Sequence, residues 1–172
     1  MIKDKRGGDK YNNLSSNMRE EERSIASLAR SNTIFDRAID GSGTQNVGSV
    51  SEAILDKYFN EAKTSEIIVT DERIGHVKKD HPDEYEFFKR NIRNILSDPD
   101  IIAIEKEGES LTHFLLYVKK FDEFGNYKAV ISIEMADNNK KNSVISFYPI
   151  GHDNEKVQKL EDKNFVIYRK RK

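Results

Sequence analysis

A chain of 172 residues is long enough for one domain with a real core and too short for two large ones. Its residues are 36% apolar and 34% charged, with no apolar run near the roughly 20 residues of a membrane span. The absence of cysteine excludes disulfides, cysteine zinc sites and thiol nucleophiles; 29 Lys and Arg against 30 Asp and Glu, a net charge of −1, exclude a general electrostatic grip on nucleic acid but not a local basic patch.

In chain order, the polarity is heaviest at the start. Fifteen of residues 1–50 are apolar, or 30%, against 29 of the 70 in residues 66–135. The opening MIKDKRGGDK has no signal-peptide apolar core, which points to a cytoplasmic protein without a membrane partner. GGDKYNNLSSN and GSGTQNVGS are loop-like, and between them residues 18–30 offer one short helix on Ile25, Leu28 and Ala29. Residues 1–50 therefore read as a flexible lead or linker, and residues 51–172 as the folded domain. Gly41, Gly43 and Gly48 match neither a Rossmann turn nor a P-loop, because no Lys-Ser/Thr follows and no strand precedes them.

Near Ser49 the pattern changes. Ser49 with Glu52 has capping-box spacing ahead of Ile54, Leu55, Tyr58 and Phe59. EIIV at 66–69 reads as a short strand. Thr70 then caps a helix through Lys79, with Asp71 and Glu72 in the first turn, where the helix dipole favours acids. Pro82 pushes His81 out of the helical region and opens a second helix, in which Tyr85, Phe88, Ile92, Ile95 and Leu96 form one stripe before Asp98-Pro99-Asp100 ends it.

Beyond residue 100 the period becomes two. Strands are expected at 101–105, 111–121, 128–135, 143–150 and 164–169, with turns at Gly108, Gly125-Asn126 and Asn138-Asn139 and a small helix at 154–160. The fold class is α+β, N-terminal helices followed by a four- or five-stranded antiparallel meander. One sheet face should receive the helix at 85–96. The other, with His113, Tyr117, Lys119, Lys128, Glu134, Ser146 and Tyr148, is either a solvated face or an open polar platform for a phosphodiester.

Val69 to Tyr85 is the most distinctive stretch. Arg73, His76 and Asp80, at spacings of three and four, share a helical face apart from the inward Ile74 and Val77, so that Asp80 can orient His76 and Arg73 can meet an anion. His81, five residues after His76, is off that face; the pair fails the HExxH pattern, and neither a metal nor a cofactor is expected. From the residues alone, His76 reads as well as a surface histidine and His81 as a hydrogen-bonded turn residue.

The run IIVTDERIGHVKKDHPDEYEFFKRNIRNILSDPDIIAI and the later NSVISFYPI together resemble phage-associated nuclease domains of the barnase–EndoU–colicin–RelE-like superfamily. The similarity lies in a short strand, an ERI-x-H helix, a His-Pro junction, a second helix closing on Pro-Asp, and a final strand in which a hydroxyl residue precedes an aromatic pair. It covers residues 66–169; Ser146 stands where the family often carries Thr. The resemblance implies a metal-independent ribonuclease of phage or toxin context, acting on tRNA or another structured RNA, with an immunity protein or antitoxin as a further partner.

Metal-free RNA cleavage needs a base for the 2′-OH, an acid for the departing 5′-oxygen and fixed donors for the phosphorane charge, leaving a 2′,3′-cyclic phosphate. Histidine suits the first two roles near neutrality. Carried over from the ERI-x-H and His-Pro motifs, His76 and His81 are the candidate pair, with Ser146 as a donor to a non-bridging oxygen. Arg73, Lys119 and Lys128 would supply positive charge, Tyr117 or Tyr148 a stacking surface, and the basic run 168–172 further phosphate contacts. A rival set, His113, Glu134 and Lys119, lies on the sheet alone. The competing function class is a non-catalytic phage-structural or inhibitor-binding module with the same fold, which the net charge of −1 favours.

Overall fold

The computed structural model describes residues 38–171. The residues 18–30 expected to be helical, and most of the expected lead, lie outside the described residues. Eleven elements follow one another: β1 Gln45–Ser49, α1 Glu52–Tyr58, β2 Glu66–Val69, α2 Asp71–Asp80, α3 Pro82–Ser97, β3 Ile101–Glu107, β4 Ser110–Phe121, β5 Gly125–Ser132, β6 Asn142–Pro149, α4 Glu155–Lys163 and β7 Phe165–Arg169. The strands make one seven-stranded sheet in the order β1-β2-β6-β5-β4-β3-β7.

The meander β3 to β6 forms as its alternation and turns require. Gly108 and Gly125 adopt φ of 64° and 88° at two of the connections, conformations that cost glycine nothing. Three expectations are corrected. The sheet has seven strands rather than four or five, because β2 joins it and β1 extends it. It is mixed, since β2 runs parallel to β6 while the other pairs are antiparallel. The folded part begins before residue 50: the compact unit starts at Ile39, and Ile39, Val47 and Val50 are all buried. Gly41, Gly43 and Gly48 therefore belong to the fold and not to a linker. With β1 formed, the Ser49–Glu52 capping box does not form either; α1 starts from Ser51 without a side-chain cap.

The two helices that matter most form for the reasons legible in their residues. Thr70 Oγ1 accepts the Arg73 N–H at 3.1 Å, capping α2, and Ile74 and Val77 are its buried stripe. His81 closes α2 by donating its N–H to Val77 O at 2.8 Å, and Pro82 stands at the first turn of α3, where its missing N–H has no consequence. Phe88, Ile92, Ile95 and Leu96 of α3 pack on Leu115, Tyr117, Ala129, Ile131 and Phe147 of the sheet.

The opposite face is covered as well. Val157 and Leu160 of α4 pack against Ile101, Ala103, Leu116, Val118 and Val130. α4 thus covers part of the face expected to be an open polar platform, and Tyr117, expected on it, is 2% exposed on the α3 side. The continuous run Leu115-Leu116-Tyr117-Val118, all buried, is the signature of a strand covered on both sides.

Candidate active site

β2 and β6 share only two register pairs, Ile67↔Asn142 and Ile68↔Ser143. At Thr70 the chain leaves the sheet as α2, while β6 continues, so a cleft opens between the helix and the strand. Asn142 anchors its apex. This buried side chain donates to Thr64 O at 2.8 Å and Glu66 O at 3.0 Å, and accepts the Glu134 N–H at 2.8 Å.

The cleft encloses about 140 Å³. One wall is the Arg73 and His76 face of α2 together with His81 at the helix junction; the other is β6 from Val144 to Tyr148; Val77 and Phe88 belong to the apolar lining. A bulge shapes the strand wall. Val130 pairs with Ser146 and Ile131 with Val144, leaving Ile145 as the extra residue beside Ser146. Bulges re-aim side chains in this way. His76 of α2 and Ser146 of β6 thereby line the same cleft.

His76 Nδ1 lies 2.9 Å from Asp80 Oδ2. A carboxylate can only accept, so Nδ1 carries the proton and Nε2 is the free nitrogen of the neutral ring. The His76 and His81 rings meet edge to face with centroids 5.8 Å apart. Arg73 and His76 also line, with Thr70 and Glu72, a further opening of about 210 Å³.

The expected residues divide clearly. Arg73, His76, His81, Ser146 and Tyr148 meet in one cleft. Lys128 adjoins it, paired in register with Tyr148 and holding Nζ 4.7 Å from that ring's centroid. Lys119 does not belong to it. Its ammonium is bound to Asp98, at 2.8 Å to the backbone oxygen and 3.0 Å to Oδ2, and Lys170 reaches the same carboxylate at 2.9 Å. Burial pushes the Asp98 carboxyl upward, but the hydrogen bonds from Lys170 and Lys119 outweigh it and leave the group below the usual aspartate range. The rival set is not assembled: His113 and Lys119 share a strand side but stand six residues apart, about 20 Å along β4.

Sequence reasoning misses Asn142, and it places Phe88 in the α3 stripe without bringing it to the cleft. In NSVISFYPI the resemblance rests on Ser146 and the aromatic pair after it, and nothing in the composition marks Asn142 as the residue that sets the strand's position. Among the described residues no group of three or more His, Asp or Glu stands in metal-holding proximity, and no helix is long and apolar enough to cross a membrane.

Neither the curated proteins nor the solved structures compared with the chain yield a match. A protein-family match does exist, and it runs over residues 40–169, taking in all seven strands and both walls of the cleft. Since that is well over half the chain, and since its start at residue 40 agrees with the buried Ile39 and the strand at 45–49, the protein belongs to the family described as phage-Barnase-EndoU-ColicinE5/D-RelE like nuclease 2.

Proposed function

We propose that the protein is a metal-independent endoribonuclease that cleaves RNA by attack of the 2′-OH on the adjacent phosphate. The observation carrying this reading is the convergence of two imidazoles, a guanidinium and a hydroxyl on one small cleft. His76, held by Asp80 with Nε2 free, acts as the base that takes the 2′-OH proton. His81, at the junction of α2 and α3, protonates the departing 5′-oxygen. Arg73 and the Ser146 hydroxyl donate to the non-bridging oxygens as charge accumulates on the phosphorane. The exposed Tyr148 ring offers a face for the neighbouring base, with Lys128 beside it. The products are a 2′,3′-cyclic phosphate and a 5′-OH. Structured RNA such as tRNA is the proposed substrate, and an immunity protein or antitoxin the proposed partner.

The test is incubation with total RNA in EDTA, followed by analysis of end groups. Wild type should leave cyclic phosphate ends with a bell-shaped pH dependence. His76→Ala and His81→Ala should each slow cleavage about 10²–10⁴-fold while leaving the melting temperature nearly unchanged. Cleavage at wild-type rate in both variants would overturn the assignment. The net charge of −1 favours a second reading, a binding module that kept the fold without the chemistry; intact RNA with wild-type protein across several substrates would establish it.

A further inference from the structure

The α4 side of the sheet carries a second cleft, larger than the first at about 440 Å³ and distinct from it in every residue. Lys120, Arg169, Lys170 and Arg171 line it against the carboxylates of Asp100 and Glu161, four positive groups to two negative in a chain whose net charge is −1. Its floor is apolar, from Ile101 and Val157.

Some of this charge is already used. Arg169 is held by Glu161 at 2.7 Å, Lys170 is bound to Asp98, and one Asp100 oxygen accepts the Lys120 N–H at 2.7 Å. The Lys120 ammonium and the Arg171 guanidinium have no ion-pair partner among the described residues. Two fixed cations with two free ones beside them, over an apolar floor, suit a phosphate ester carrying a ring, as a nucleotide unit does.

The sheet register connects the two clefts. Tyr148 pairs with Lys128, Lys128 with Val118, Val118 with Ile101, and Ile101 with Arg169, one continuous cross-strand row. Tyr148 lines the first cleft, Ile101 and Arg169 the second, and Lys128 stands between them. Four strand spacings set the row's ends about 19 Å apart. We infer that the second cleft holds backbone phosphates of the RNA strand whose scissile bond lies in the first, so that a substrate longer than a dinucleotide is gripped at two points. This rests on the proposed ribonuclease reading, and a local grip of this kind would offset the lack of overall positive charge.

The test uses the full chain and a 2′-O-methyl RNA oligonucleotide, which lacks the attacking hydroxyl. In Lys120→Ala/Arg171→Ala, fluorescence anisotropy should show about tenfold weaker binding, and the slope of log K against log salt should fall by about 1.4, as for two lost single-strand phosphate contacts. Dinucleotide cleavage should stay at the wild-type rate, because a dinucleotide fills only the first cleft. Unchanged affinity and salt slope in the double variant would overturn the inference. So would adenosine monophosphate occupying the second cleft without competing with the oligonucleotide. If the double variant weakens oligonucleotide binding as expected but wild type leaves unmodified RNA intact, the acid–base reading falls and the second cleft stands.

Discussion

At the scale of single residues, three side chains show how local chemistry fixes the larger design. Tyr127 sits 6% exposed beneath the aromatic cluster of Phe87, Phe121 and Phe147, and donates its hydroxyl to Glu84 at 2.9 Å. Burial first, and then the Glu84 carboxylate, push this phenol up to about 12. Tyr127→Phe should cost about 0.5–1.5 kcal/mol in chemical denaturation, the net worth of one hydrogen bond. Asp98 gives a pH-dependent counterpart. Its folded carboxyl is depressed, so its contribution to stability is present above the unfolded aspartate range and is lost as pH falls through the lower folded value. The melting-temperature difference between wild type and Asp98→Asn should therefore be full at neutral pH and shrink toward zero in acid. A difference independent of pH would mean that the two lysine bonds do not hold the carboxylate in its charged form. Lys119, expected at the substrate, is occupied here; alternation gives a residue's face but not its height along a strand.

The elements divide into those whose pattern is self-sufficient and those defined only by their neighbours. The Thr70 cap, the Pro82 start and the 3.6-residue stripe of α3 are local signals, and each forms as read. Ile92, fully buried against the sheet, should cost roughly 2–5 kcal/mol when changed to Ala. By contrast β1, with sequence QNVGS, offers one apolar side chain among residues that strands disfavour. It becomes a strand because β2 presents an unpaired edge and Val47 can be buried, and no short-range pattern could reveal that. The parallel β2–β6 pairing is equally invisible, since its partners are 75 residues apart. Asn142 makes that pairing specific. Asn142→Leu would strand one N–H and two carbonyls in the interior and should cost about 3 kcal/mol or more, with the cleft lost along with the stability.

Across the whole molecule, the candidate site was legible as a set of residues but not as a place. The residues carried by the resemblance, His76, His81 and Ser146, do face one cleft. Their meeting depends on a helix diverging from a strand and on a bulge at Ile145, neither of which leaves a trace in alternation. The early boundary failed for a related reason: composition made residues 39–50 look solvated, yet their few apolar side chains are buried. A chain beginning at Val50 loses Ile39 and Val47 from the core, roughly 3–6 kcal/mol at 1.5–3 kcal/mol each. It should melt well below a chain beginning at Ile39, and equal melting temperatures would return those residues to the status of a linker.

The long interval between the two walls of the cleft also sets a timetable. His76 and Ser146 are 70 positions apart, which at about 5–20 residues per second is a delay of roughly 4–14 s during synthesis. Throughout that interval a nascent chain already holds both imidazoles but has no strand to face them, and β6 cannot dock until the meander is complete. Any activity of this cleft is therefore withheld from the emerging polypeptide and arrives late and all at once, leaving a ribosome that makes the protein unexposed to it until β6 has been made.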